Sequence, residues 1–208
     1  MLRGTRLLAG DEMELFLKIT QELRNIAKEN GYQEVILPSI WEAETFIAKA
    51  GEKVVEQMYV FKDKKDREIC LIPEVTAIIR EVYKSEWEKA KSKPVKVCYL
   101  SRCYRYERPQ SGRYREFWQF GFEMFGGKKP EDKAQIIDLV KTIMQRLGLK
   151  NVVFNESVKR GLDYYVEDGF EVDALSLGAQ KQIMGGGRYD CGIGFAIGLD
   201  RLMMAVKV

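Results

Sequence analysis

Apolar residues recur at helical spacing in two segments of the chain. Residues 11–30 carry four apolar residues on one helical face, and Gly31 follows as a common C-terminal cap. These four residues are Leu15, Ile19, Leu23 and Ile26. A second helix of about 18 residues is predicted to begin at Pro130 and to end before Gly148. Its buried stripe consists of Ile136, Ile137, Val140, Ile143, Met144 and Leu147.

Shorter apolar runs predict strands between these two helices. "EVILPSI" indicates a strand that Pro38 interrupts, which is typical of a sheet edge. Residues 58–72 predict two strands around a charged turn. Pro73 and Glu74 then open a helix that is expected to reach toward Lys91.

A long hairpin is the clearest feature of the middle of the chain. "VKVCYLSRCYRYE" and "GRYREFWQFGFEMFG" predict two strands joined by a polar "RPQS" turn. Alternation places one set of side chains in the second strand on the core face: Trp118, Phe120, Phe122 and Met124. The opposite face carries Arg115, Phe117, Gln119, Gly121 and Glu123. In the first strand, Arg105 and Glu107 can join that opposite face if the register allows.

The remaining third of the chain is rich in strands and glycine. Strands are predicted near "NVVFNE" and "GFEVDAL", and "GIGFAIGLDRLMMAV" predicts a glycine-rich strand that runs into a helix. The pattern favours one α+β domain over residues 1–208, with a mostly antiparallel sheet flanked by helices.

Composition narrows the possible chemistry. The chain has 208 residues, is 46% hydrophobic and carries a formal net charge of +3, so overall charge does not indicate nucleic-acid coating. It contains no histidine, which excludes Ser-His and Cys-His nucleophile pairs and His-ligated zinc. The four cysteines form no C-x-x-C pair and are expected to be reduced, packed thiols. No signal peptide or membrane span is predicted, so we expect a cytoplasmic protein without membrane contact.

The polar face of the hairpin has two explanations. An arginine beside an exposed aromatic ring, with a carboxylate one pleat away, suits an anionic ligand with a flat ring. Arg105, Phe117 and Glu107 supply those groups. A solvated outer face with cross-strand ion pairs explains the same pattern equally well.

Three glycine- or tyrosine-rich segments are ambiguous on their own. Gly194 and Gly198 precede a helix that carries Arg201, which would suit a polyphosphate, although the spacing fits neither the dinucleotide fingerprint nor the P-loop. "GGGRYD" predicts a glycine-rich turn with a cation attached, for which packing is at least as good an explanation. "RGLDYY" predicts a turn followed by an aromatic strand, with Tyr164 and Tyr165 as phenolic donors.

Taken in order, these segments resemble a known family. "PEVT", "YRYERPQSGRYREF", "RGLDYY" with "GGGRYD", and "GFAIGLDRL" resemble the catalytic domain of class II aminoacyl-tRNA synthetases, most specifically histidyl-tRNA synthetase. The hairpin is similar to motif 2, "GFAIGLDRL" to motif 3, and the stretch around Pro38 to the dimer-forming motif 1. The similarity runs from about Arg3 to Leu202, and "LGAQKQIMGGGRYD" is similar to archaeal members.

The resemblance implies an ATP site. Arg105 would hold the α-phosphate, Glu107 would accept from the adenine amine, and Phe117 would stack on adenine. Arg113 and Arg201 would clamp the outer phosphates, and Mg²⁺ would bridge the phosphates without a protein side chain as metal ligand. Arg160 would stabilise charge at the α-phosphate, so Arg105 and Arg160 are the catalytic residues that the resemblance implies.

The resemblance also implies an amino-acid site. Glu74, Thr76 and Gln119 would receive the substrate's α-amino and carboxylate groups. Glu123, Tyr165 and Tyr189 would face its side chain, and a carboxylate with phenols suits an imidazole, which both donates and accepts.

Several positions depart from the family pattern. Trp118 stands where histidine is usual, and Ile72 replaces the arginine that usually precedes "PE". "YYVEDGFE" lacks the usual threonine-glycine stretch. The helical insertion between Asn155 and Arg160 is missing, and a stretch between Asp190 and Gly194 is nearly deleted. The chain stops just after motif 3, so an anticodon-binding domain is not expected.

Three functions are compatible with this sequence. The first is an enzyme that activates histidine, or a close analogue, to an aminoacyl adenylate, with a tRNA acceptor stem, a minihelix-like RNA or another acceptor downstream. The second is a non-catalytic, histidine-binding regulatory paralogue of a biosynthetic enzyme. The third is a trimmed or engineered core, which would account for the deletions and the lack of histidine. By resemblance, a C2 homodimer is expected through the surface near "VILPSIW".

Overall fold

The computed structural model describes residues 1–48, 51–90, 92–159, 161 and 164–206. Its α-helices are α1 (Asp11–Glu29), α2 (Ala43–Ile47), α3 (Glu52–Val55), α4 (Thr76–Val82), α5 (Glu88–Ala90), α6 (Glu131–Arg146) and α7 (Leu199–Val206). A π-helical turn at Tyr83–Trp87 joins α4 to α5, and a 3₁₀ segment at Leu175–Gln180 contains a kink at Gly178. Among the helices of this described part, none is long and apolar enough to cross a membrane.

The strands form two sheets. They are β1 (Gln33–Val35), β2 (Ile40–Glu42), β3 (Tyr59–Lys62), β4 (Glu68–Leu71), β5 (Val95–Tyr104), β6 (Glu116–Phe125), β7 (Val152–Val158), β8 (Gly169–Ala174), β9 (Gln182–Tyr189) and β10 (Gly192–Gly198). The large sheet has the order β1-β5-β6-β10-β9-β8-β7, and only its β1-β5 pair is parallel among the described strands. The small sheet has the order β2-β4-β3. The predicted α+β class with a mostly antiparallel sheet is confirmed.

The long hairpin has the predicted alternation. Phe120, Phe122 and Met124 of β6 are buried in the core that packs against α1, α6 and α7. Tyr99 of β5 pairs with Gly121 of β6 on the opposite face, where a second core contacts α2 and α4. The large sheet therefore has a core on each face, and the site lies on the second face beside this second core.

Two details of the hairpin differ from the sequence prediction. The first strand ends at Tyr104, so Arg105 and Glu107 belong to the connection rather than to the strand. The connection covers residues 105–115 and is longer than a "RPQS" turn. A backbone hydrogen bond from Arg105 N to Arg115 O (2.9 Å) extends the pairing just past the strands, so Arg105 keeps the orientation that alternation predicts.

The predicted helices are present with small changes. Helices α1 and α6 match the two predicted amphipathic segments, and Gly31 and Gly148 after them have φ values of 75° and 62°. The helix after Pro73 begins at Thr76 and continues through the π-helical turn to Ala90, while Lys91 lies outside the described residues.

The interpretation of "GGGRYD" as a turn is wrong. Residues 185–189 lie within β9, which pairs with both β8 and β10. The cation of this segment, Arg188, points into the fold, where its Nη1 and Nη2 donate to Asp132 at 2.9 and 2.6 Å. Glycine normally signals a turn, but here neighbouring strands on both sides stabilise the extended backbone.

Candidate active site

A cavity of about 440 Å³ lies against one face of the large sheet. Small residues of β9 and β10 line it, namely Gly185, Ala196 and Gly198. Gly121 lies opposite Ala196 in the sheet, and a Cβ at Gly121 would lie 2.1 Å from the Tyr99 ring. Gly121 therefore makes room for the Tyr99 ring, whereas larger side chains at Gly185, Ala196 and Gly198 would take up space in the cavity itself.

Three arginines line the cavity, and Arg105 lies nearest to Glu74, because its Nε donates to Pro73 O at 2.9 Å. Arg105 and Arg113 come from the β5-β6 connection, and Arg201 comes from α7. The Nε of Arg201 donates to Gly112 O at 2.8 Å, and its other two nitrogens donate to acceptors in residues 180–182 at 3.0 Å. Burial, with the nearby charge of Arg113, lowers the pKa of Arg201. Cations that converge in this way attract a polyanion such as a chain of phosphates.

An aromatic ring and a carboxylate lie at the same end. The Arg105 guanidinium lies 5.4 Å from the centroid of the Phe117 ring. Glu107 accepts from Arg113 Nη2 at 2.7 Å through Oε1 and from Gln57 Nε2 at 3.3 Å through Oε2. All five side chains line the cavity. A flat ring beside a carboxylate and several cations is suited to a nucleotide.

The other end of the cavity is acidic. Glu74, Thr76 and Gln119 line it, and Glu74 is only 4% exposed. The Oε1 of Glu74 accepts from the backbone N–H of Ala77 at 2.9 Å, and its Oε2 accepts from Tyr164 Oη at 3.2 Å. Burial raises the pKa of Glu74. A ligand with an ammonium group would therefore find a preorganised carboxylate here.

Glu123 and Tyr189 stand behind this acidic end. Glu123 is fully buried, and the hydroxyls of Thr76 and Tyr189 each donate to it at 2.7 Å. A Cβ at Gly194 of β10 would lie 1.7 Å from Glu123 Oε2, so Gly194 makes room for the carboxylate rather than for a ligand. Burial raises the pKa of Glu123 to about 8. Thr76, which does line the cavity, connects this pair to it.

The segment that resembles "RGLDYY" is only partly described. Tyr165 lines the cavity, and its backbone forms an isolated bridge with Tyr189 of β9. Arg160 lies outside the described residues, so its catalytic role stays a prediction.

The structure adds three residues that the sequence analysis did not place in the site. Tyr164 contacts Glu74, Tyr99 lines the cavity, and Arg80 lies against Tyr164. Each of them had a usable signal, since Tyr164 was already indicated as a phenolic donor beside Tyr165. Arg80 follows Thr76 by four residues and so shares its helical face, and Tyr99 shares the strand face of Gly121.

A divalent cation has no cage of protein ligands within the described ranges. No group of three or more Cys, Asp or Glu side chains there could hold a metal ion. Mg²⁺ commonly binds through one or two carboxylates together with substrate phosphates and waters. Glu107, Glu171 and Asp200 line the cavity, so the donor set fits a Mg²⁺ that enters with a nucleotide.

The family follows from comparison with known sequences. A family model described as histidyl-tRNA synthetase matches residues 4–158, most of the chain. The chain belongs to the histidyl-tRNA synthetase family. The histidine-tRNA ligase of Archaeoglobus fulgidus is 31% identical, and the match covers 99% of this chain and 76% of that protein. That alignment extends over 310 residues against 208 in this chain, which agrees with internal deletions relative to the family.

Solved structures share the same architecture. The apo histidyl-tRNA synthetase of S. aureus matches with a TM-score of 0.83 and 27% identity, over 100% of this chain and 70% of that one. A protein described as an ATP phosphoribosyltransferase regulatory subunit/histidyl-tRNA synthetase, from Bacillus halodurans, also has a TM-score of 0.83. Its identity is 16%, over 99% of this chain and 82% of that one, so this likeness shows the fold alone.

Proposed function

We propose that the chain activates histidine, or a close analogue, with ATP to give an aminoacyl adenylate and pyrophosphate. The observation that carries this proposal is the separation of charge along one cavity. Arg113 and Arg201 lie at one end, the buried Glu74 and Glu123 lie at or behind the other, and Arg105, whose Nε donates to Pro73 O at 2.9 Å, lies between them. A triphosphate suits the first end, and an amino acid with an imidazole suits the second.

The reaction needs position and charge rather than a protein nucleophile. A carboxylate oxygen of the amino acid attacks the α-phosphorus, the bond from phosphorus to the bridging oxygen breaks, and pyrophosphate leaves with the electron pair. Arg105 would hold the α-phosphate, while Arg113 and Arg201 would stabilise the growing charge on pyrophosphate. Mg²⁺ bound to the phosphates would neutralise part of the same charge. Because no side chain transfers a proton, a chain without histidine can perform this chemistry.

Nucleotide binding would rearrange one ion pair. Glu107 and Arg113 contact each other at 2.7 Å. For Glu107 to accept from the adenine amine while Arg113 reaches the outer phosphates, Arg113 has to exchange this carboxylate for phosphate oxygens. Such an exchange keeps the number of charge-assisted hydrogen bonds roughly constant. Phe117 would stack on the adenine ring at the same end.

The acidic end would orient the amino acid. Glu74, with Thr76 and Gln119, would take the α-ammonium group and place the carboxylate toward the α-phosphate. Glu123, Tyr165 and Tyr189 would recognise the side chain. The acyl acceptor that we favour is the acceptor stem of a tRNA, contacted through residues 108–113 of the β5-β6 connection.

A histidine-binding regulatory subunit is the second candidate. The observation in its favour is that the arginines already bond to protein acceptors: Arg113 to Glu107, and Arg201 to Gly112 and residues 180–182. In such a subunit these arginines would stabilise the loops, and histidine would bind without ATP turnover.

Exchange of label between pyrophosphate and ATP, measured with each of the twenty amino acids, separates the two candidates. We expect exchange with histidine only, and its loss in Arg105→Ala. Arg102→Ala is the matched control, because Arg102 lies three residues earlier, on β5, with its guanidinium 4.7 Å from the Trp118 ring and away from the cavity. Histidine binding without exchange by any amino acid would contradict the enzyme and support the regulatory subunit.

A further inference from the structure

A buried cation lies behind the acidic end of the cavity. Arg80 of α4 is only 7% exposed, and Nε and Nη2 donate to Asp190 Oδ1 at 3.2 and 2.6 Å. Its guanidinium carbon lies 4.9 Å from the Tyr164 ring centroid and 5.4 Å from that of Tyr189. The buried Nη1 has no hydrogen-bond partner in the described part of the chain. Besides Asp190, the neighbours of Arg80 are therefore these two aromatic rings and the Cys191 side chain.

Each ring that Arg80 contacts holds one of the two buried carboxylates. Tyr164 Oη donates to Glu74, and Tyr189 Oη donates to Glu123. The two tyrosine rings also meet edge to face, with centroids 6.3 Å apart. A shift of the guanidinium would therefore be transmitted to both carboxylates at once.

The charges around Arg80 connect the pocket to the surface. Asp190 accepts from both Arg80 and Lys84, and Lys84 is about half exposed. Although burial acts in the opposite direction, these hydrogen bonds hold the pKa of Asp190 well below its usual range. Burial raises the pKa of Glu123, and the Arg80 charge acts against that rise. Arg80 thus has an electrostatic connection to Glu123 in addition to the contact through Tyr189.

We propose that Arg80 is a positioning residue for amino-acid recognition, which fixes Tyr164 and Tyr189 and, through them, Glu74 and Glu123. This inference rests on the proposed function, because it takes histidine as the ligand of the acidic end. It predicts a selective effect. Loss of Arg80 weakens the histidine site and leaves the arginine-lined ATP site as it is.

Arg188 provides a matched control for Arg80. It is also 7% exposed, also donates two hydrogen bonds to one aspartate, Asp132, and lies next to Tyr189 in the sequence, with Glu167 as a more distant partner at 3.5 Å. Its aspartate belongs to α6, on the side away from Glu74. We therefore compare Arg80→Met with Arg188→Met in steady-state ATP-pyrophosphate exchange and in calorimetric titration with histidine, after checking both for folding by circular dichroism.

In Arg80→Met, the constants for histidine are expected to change and the KM for ATP is not. Arg80→Met raises the KM and the Kd for histidine by about 10-fold, while the KM for ATP changes less than about twofold. Arg188→Met lowers thermal stability but changes neither KM by more than about twofold. A parallel rise of both KM values in Arg80→Met, or an equal histidine effect in Arg188→Met, would overturn the proposal.

Two further arms keep the result interpretable. If Arg80→Met does not fold, Arg80→Lys is compared with Arg188→Lys. We expect the KM and the Kd for histidine to rise about threefold in Arg80→Lys alone, without a matching rise of the KM for ATP. The reason is that lysine keeps the charge of arginine but not its planar fork. The wild-type protein tests the proposed function separately. If it binds histidine without exchange, the enzyme fails but the Kd values still test Arg80. If it does not bind histidine, both proposals fail.

Discussion

Among the individual side chains, the carboxyl of Glu123 is the most unusual. It is fully buried, lies opposite Gly194 in the sheet and accepts hydrogen bonds from two hydroxyls. Gly194 leaves the space for this carboxyl, because any Cβ at Gly194 would collide with it. Both hydrogen bonds favour the charged form, but burial outweighs them and raises the pKa to about 8.

This pKa predicts a pH-dependent stability. Between the ordinary pKa of 4.5 and about 8, the folded state holds a proton on Glu123 that the unfolded state has released. Rising pH therefore destabilises the wild type over this window, with a slope of at most about 1.4 kcal/mol per pH unit from this group. Glu123→Gln cannot titrate, so its stability relative to wild type should increase from pH 5 to pH 8. Urea unfolding at several pH values measures the difference.

The control for this comparison is Glu14→Gln, on the exposed face of α1. It measures the effect of replacing an exposed carboxylate with an amide. Parallel pH profiles of the wild type and Glu123→Gln would contradict the raised pKa.

Much of the site could be predicted from the sequence alone, but not which side chains line the cavity and which lie behind it. Alternation along β6 placed Phe117, Gln119 and Glu123 on one face, and the structure agrees. It could not show that Glu123 lies behind the cavity rather than in it, because this depends on the register between β6 and β10. Nor could it show the contacts of Arg80, since Tyr164 and Tyr189 are more than 80 residues away along the chain.

Among the helices and strands, β9 differs most from the sequence prediction. Three consecutive glycines predict a turn from local preference, yet tertiary context makes them the middle of a strand. The cavity needs a surface without side chains at this place, and β9 and β10 supply it with Gly185, Ala196 and Gly198. Amphipathic helices α1 and α6 were predictable because their burial pattern repeats over many residues; a strand shaped by a ligand site has no such repeat.

The anchor of β9 gives a prediction at this scale. Asp132, in the first turn of α6, is 2% exposed and holds Arg188 of β9 through both oxygens. Asp132→Asn would leave the buried guanidinium with only the more exposed Glu167, 3.5 Å from its Nε, as counter-charge, and we expect a loss of about 3 kcal/mol in the free energy of unfolding. Chemical denaturation measures it. Asp138→Asn on the exposed face of the same helix is the control and should change stability by less than about 0.5 kcal/mol. Similar values for both variants would show that the pair does not stabilise β9.

At the scale of the whole molecule, two sheet edges meet the same short segment of sequence. Strand β1 ends the large sheet and β2 ends the small one, and the chain between them carries an exposed apolar residue, Ile36, which is 92% exposed. Ile40 at the start of β2 is 49% exposed. Unpaired edges with apolar side chains tend to be covered by another chain, so the expectation of a C2 dimer through this surface has a physical basis.

Sedimentation velocity tests this proposed dimer. Wild-type protein should sediment as a dimer, and Ile36→Glu should shift it to a monomer, because the substitution would bury a charge in an interface that repeats it on both copies. Since Ile36 is almost fully exposed in one copy, the variant monomer should keep its fold by circular dichroism. Leu175→Glu is the control: Leu175 is 56% exposed just after β8, near the opposite edge of the large sheet, and its substitution should leave the dimer intact. A wild-type monomer at micromolar concentration, or a dimer that tolerates Ile36→Glu, would place any interface elsewhere.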